Sequence, residues 1–121
     1  MISEAIQVEV QKVITNTAFA IEGEEIEVPF CVHKEKQTPV RLKSGVSGYE
    51  NSCELMIIDK LPDSVETLKT RVRTAIEAME GITISGTAIE SVDYLGDDPD
   101  FDMQSQMYYT IMNFNIETSN I

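Results

Sequence analysis

The chain has 121 residues, 42% hydrophobic and 25% charged, with a formal net charge of −12 and two cysteines. That length fits one domain with a core that needs no disulfide or metal staple. The acidic balance argues against binding nucleic acid through its phosphates or lying on an anionic membrane. No apolar run approaches a membrane span, the N-terminus lacks a secretory pattern, and two cysteines make no disulfide framework. The chain therefore reads as a soluble intracellular product with reduced thiols.

Ile2, Ala5, Ile6, Val10, Val13 and Ile14 recur at helical spacing, with Ser3 placed to cap, and predict an amphipathic helix over residues 3–16. Val8 and Val10 offer a competing alternation. Residues 22–27 form an acidic connection carrying Gly23. A strand over Val28–Lys34 follows, with Phe30 and Val32 on one face and Cys31 and His33 on the other. Pro29 sits near its start, where a missing donor is tolerated.

The stretch from His33 to Glu50 gathers Lys34, Lys36, Arg41 and Lys43, four of only nine basic residues, and is punctuated by Pro39, Gly45 and Gly48. A basic, glycine-marked arm on an acidic body suggests a contact surface, because segregated charge steers association and fixes register. The next strand, Tyr49–Asp59, is apolar on both faces at its end, as a central strand is. Asp63 and Glu66 have the offset of a capping box. Val65, Leu68, Val72, Ala75, Ile76 and Met79 then form one stripe of a helix over 64–80, stopped by Gly81. Ile82–Leu95 alternates as a strand with Gly86 as a candidate bulge. Residues 96–102 read as an acidic turn. Met107–Glu117 closes the chain as a strand, with Tyr108, Thr110, Met112, Phe114 and Ile116 on one face. The order helix, strand, strand, helix, strand, strand predicts one two-layer α+β domain over residues 1–121. Its expected form is a mainly antiparallel four-stranded sheet, packed by two helices, with an extended hairpin arm.

Each candidate for chemistry has a plainer reading beside it. Cys31, His33 and Cys53 are the soft metal ligands, but a structural zinc site wants a fourth at recognised spacing. A Cys–His nucleophile would need an orienting third group. A buried Cys and an exposed His are the expected alternative. Asp97, Asp98, Asp100 and Asp102 lack the spacing of a calcium loop, and without Trp the chain makes a poor sugar groove. Gly45-Val46-Ser47-Gly48 precedes a strand, whereas phosphate loops precede a helix. No cofactor, metal or enzymatic activity is expected.

The strand led by VPF (28–30), TPVRLKSGVSGYE (38–50), the helix LKTRVRTAIE (68–77) and the strand YYTIMNFNIE (108–117) resemble a family of small phage and prophage tail completion, or tail terminator, proteins. The resemblance spans most of the chain, and its most specific part is residues 38–50 with the following helix. It implies structural work: a ring, typically a homo-hexamer, that stops growth of the tail tube and presents a surface to the head–tail connector. Such a protein would be found in the bacterial host cytoplasm during assembly and then in the virion tail. A ring needs two different patches per subunit. The candidate interface residues are Lys34, Lys36, Arg41, Lys43, Gly45, Gly48 and Tyr49 on the arm, and Asp97, Asp98 and Asp100 in the acidic segment, with residues 22–27 as a further acidic patch. The partners implied are the chain itself, the tube protein and the connector, without membrane or specific nucleic-acid binding. The competing reading is a small acidic adaptor, or an inhibitor of a basic protein, acting as monomer or dimer.

Overall fold

The computed structural model describes residues 2–18, 28–42 and 45–119. Its elements are α1 (Ile2–Gln11), β1 (Asn16–Ala18), β2 (Phe30–Leu42), β3 (Gly45–Asp59), α2 (Pro62–Glu77), β4 (Thr83–Ile84), β5 (Thr87–Asp102) and β6 (Met107–Ser119). The strands make one six-stranded sheet in the order β1-β2-β3-β6-β5-β4. β1 runs parallel to β2 and every other pair is antiparallel. The expected four-stranded antiparallel sheet is thus corrected to a larger mixed one, with a short strand added at either flank.

Both additions have a local cause. The apolar spacing that suggests a helix to residue 16 runs into Val13-Ile14-Thr15, whose β-branched side chains lose rotamer freedom in a helix. The helix closes with Val13 and Ile14 both donating to the Val10 carbonyl, and the chain extends into β1. On the other flank, Ser85 and Gly86 both take positive φ, 51° and 77°, and join Ile84 to Thr87. That is the two-residue turn whose twist suits a hairpin. Gly86 therefore turns the chain, and the bulges of β5 fall instead at Glu90 and Leu95.

The acidic segment 96–102 is strand, not turn. It pairs with β6 from Gly96↔Asn113 to Asp102↔Met107, and the reversal lies at residues 103–106. Pro99 is tolerated because β5 is open on its outer side there. Nor is the basic segment a free arm: β2 pairs with β3 along its whole length, and β3 pairs with β6 up to Gly48↔Ser119. Only the tip projects past the sheet. Lys43 and residues 22–27 lie outside the described residues.

Both helices pack on one face. Ile2, Ala5, Ile6 and Val10 of α1, and Val65, Val72 and Ile76 of α2, are buried with Cys31, Cys53, Leu55, Ile57, Met112, Phe114 and Ile116 of the sheet. α2 starts at Pro62 behind an N-cap Leu61 that makes no side-chain cap bond, so the expected capping box does not form. Pro at the first helical position needs no donor and presets φ. Arg73 lies 4.0 Å over the Tyr94 ring, and Tyr94 packs on Phe114 with centroids 5.2 Å apart.

Gly48 has a packing reason to be glycine. A Cβ there would lie 2.3 Å from the Thr118 carbonyl oxygen, a backbone atom that cannot swing aside. Gly48→Ala is expected to force β3 from β6 and to cost about 1–3 kcal/mol, the usual toll of overpacking, read as a lower urea midpoint.

Candidate interaction surface

Alternation along the strands gives the sheet a second face, and among the described residues no helix covers it. Cross-strand pairing arranges its side chains in rows. Phe30, Ile58, Tyr109 and Asp100 make one row, and Val32, Met56, Ile111 and Asp98 the next. Further along come Lys34, Glu54, Asn113 and Gly96, then Lys36, Ser52, Asn115 and Asp93. The six apolar residues of the first two rows are only half-buried. Adjoining apolar rows left uncovered among the described residues make this face a candidate interaction surface. Met56 and Ile58 are the residues that make the end of Tyr49–Asp59 apolar on both faces.

Charge divides across this face. β2 carries Lys34, Lys36 and Arg41, all exposed. β5 carries Glu90, Asp93, Asp97, Asp98, Asp100 and Asp102 and no basic residue. The sheet order puts β2 and β5 on opposite flanks of β3 and β6. Among the described residues the basic and acidic candidates are therefore not brought together within one chain. Among the described residues Lys34 pairs with Glu54, at 3.9 Å.

Not every candidate is free to meet a partner. Gly48 is buried and Tyr49 half-buried between Pro39 and Thr118, while Gly45 sits exposed at the hairpin tip with φ 120°. Asp97 turns to the helix face. Tyr94 Oη donates to its Oδ1 at 2.5 Å, and Lys69 Nζ and Thr110 Oγ1 donate to its Oδ2, both at 3.2 Å. The Tyr94 hydroxyl, then Lys69, hold its carboxyl below the usual carboxylate range. Burial, then the Asp97 carboxylate, push the Tyr94 hydroxyl up to about 12. Asp97 thus ties α2 to β5 and β6. Asp98 and Asp100 stay exposed, Asp100 accepting from Tyr109 Oη at 3.3 Å.

The expected exposed histidine is instead buried. His33 Nε2 donates to Gln7 Oε1 at 2.6 Å, and Gln7 Nε2 donates to the Thr17 carbonyl at 2.7 Å. Nδ1 shares a hydrogen bond with Glu35 Oε1 at 2.5 Å, both side chains being at most 3% exposed. A ring held at both nitrogens between α1 and β2 has no nitrogen left to offer a metal. Among the described residues no group of three or more His, Cys, Asp and Glu is arranged to hold one. Burial, reinforced by Glu35, pushes the Cys31 and Cys53 thiols up to about 12. They stay protonated at neutral pH, in the form that does not attack.

A solved structure described as the virion of a native gene transfer agent particle contains a chain with a similar fold. It matches with a TM-score of 0.77 at 11% identity, over 96% of this chain and 92% of that one. No family model and no curated protein matches the sequence. At that identity the likeness is one of fold, carried over almost the whole of both chains.

Because the Asp97 carboxyl is depressed in the folded protein, the unfolded chain binds more protons near its ordinary value of 3.8. The stabilisation is present above that value and is lost as pH falls through the depressed folded one. Asp97→Asn should lower the urea midpoint at pH 7 and flatten its fall below about pH 4, measured by fluorescence-detected denaturation across pH.

Proposed function

We propose that this protein is a tail completion, or terminator, component of a phage-like particle. In this reading it self-assembles into a ring, expected to be a hexamer, on the end of the tail tube, stops tube growth and offers the head-side joining surface. The observation that carries the proposal is the end-to-end fold likeness to a chain of a gene transfer agent virion. The resemblance in residues 38–50 and the following helix points the same way. Two features of the surface support it. The uncovered rows of Phe30, Val32, Met56, Ile58, Tyr109 and Ile111 suit burial against another virion protein, tube or connector. The oppositely charged flanks suit a heterologous contact between copies. On this reading the protein works in the host cytoplasm during assembly and then in the virion tail.

The adaptor or inhibitor reading predicts a different behaviour. It requires a stable small species that binds a basic protein through the acidic flank and does not cap tubes. Adding the purified chain to polymerising tube protein should give shorter tubes, each closed at one end by a ring in negative-stain images. Met56→Glu with Ile111→Lys, a cross-strand pair of opposite charge that leaves the helix-side core intact, should abolish capping while the thermal midpoint shifts little. Tubes of unchanged length with the wild-type chain would reject the terminator reading.

A further inference from the structure

We infer that copies of this chain join head to tail by adding β2 of one to β5 of the next, continuing a single antiparallel sheet between subunits. This deepens the assembly reading above and rests on its premise of self-association.

The four long strands β2, β3, β6 and β5 alternate strictly in direction. Because their number is even, the two outer strands run opposite ways. A neighbour placed beside β5 in the same orientation therefore presents its β2 antiparallel to it, with no inversion of the subunit. The helices of both copies then lie on the same face. Backbone pairing at an open edge is a common way to extend a sheet.

Among the described residues both edges are open over matching lengths. β1 covers β2 only at Phe30–Val32, leaving the ten residues His33–Leu42. β4 covers β5 only at Thr87–Ala88, and the Val92 amide already donates to Glu80 Oε1 at 3.0 Å. Asp93–Asp102 remains, also ten residues. The two short strands sit at opposite ends of the sheet: Phe30 is level with Asp100, and Val40 with Ala88. A neighbour set squarely alongside would collide with both. One staggered along the strands clears them and brings Lys34–Leu42 against the Asp93–Asp102 stretch, with Lys34 opposite Asp102 and Lys36 opposite Asp100 so that the faces match.

Charge selects this pairing over its rivals. Cross-strand neighbours share a face, and Lys34 and Lys36 share the uncovered face with Asp98, Asp100 and Asp102. The staggered ladder sets both lysines among those aspartates. Two-fold pairing of β2 with β2 would oppose basic to basic, and of β5 with β5 acidic to acidic; like charges so placed repel. Lysines, Pro39, Pro99 and the two bulges of β5 also blunt both edges, so the ladder between copies lacks a donor at each proline and charge chooses the partner.

Two charge-reversed chains test this by sedimentation velocity and light scattering. One carries Lys34→Glu, Lys36→Glu and Arg41→Glu, the other Asp98→Lys, Asp100→Lys and Asp102→Lys; circular dichroism checks that each folds. Each alone should self-associate at least about tenfold more weakly than wild type. The equimolar mixture, in which every β2 meets an opposite β5, should reassemble beyond a dimer and slow hydrogen exchange in both edges. Wild-type assembly retained by both variants, a mixture that stops at dimers, or a wild-type chain monomeric at every concentration would overturn the inference. Charge-dependent open filaments would uphold the edge pairing while rejecting the ring.

Discussion

The β3–β6 ladder is the constraint on which the rest of the molecule depends. β2 with β3, and β5 with β6, are hairpins that pair locally. Their union requires Gly48–Asp59 to find Tyr108–Ser119 some sixty residues away. Closing so long a loop costs conformational entropy before any contact repays it. The repayment is the central core, where Leu55, Ile57, Met112 and Phe114 sit under α1 and α2 with essentially no solvent exposure. The same ladder determines the surface. It fixes which faces are shared across four strands and holds the basic and acidic strands on opposite flanks.

The polar network around His33 secures the β2 flank. Among the described residues β2 has a sheet neighbour on one side only beyond Val32, and an edge strand held by one ladder frays easily. Gln7 bridges it to α1 and, through the Thr17 carbonyl, to β1. Buried polar groups cost little only when partnered. Losing one member of this chain would leave others unsatisfied, so the network acts as a clasp between the first helix and the basic strand.

The two helices and the core face of the last strand were legible in the residues, whereas the sheet around them was not. The stripes Ile2-Ala5-Ile6-Val10 and Val65-Val72-Ile76-Met79 are deep enough to report which helix faces are buried, and Thr110 to Ile116 reports the core face of β6. β1 and β4 escape because two or three residues show no period, and their pairing depends on partners elsewhere in the chain. The Asp-rich stretch 97–102 has turn composition but sits on an open edge, where acidic side chains stay solvated and pairing proceeds on the inner side. His33 gives no local sign of burial, since Gln7 lies twenty-six positions away. The uncovered rows were half visible: Met56 and Ile58 stand out in sequence, but only register sets them beside Val32 and Ile111.

Among the described residues the placement of charge forms an electric dipole across the strands, superimposed on a net charge of −12 for the chain. These two fields respond differently to salt. Repulsion between whole molecules acts over distances beyond about 10 Å, where mobile ions at 0.1 M already screen it; contact between facing edges acts within that distance and survives longer. Association driven by the edges should therefore strengthen as salt rises from very low values, pass through an optimum, and weaken only when the contact itself is screened. A protein that repels its own kind in dilute buffer and tolerates it in moderate salt carries in its dipole a reason to stay apart until ionic conditions favour joining.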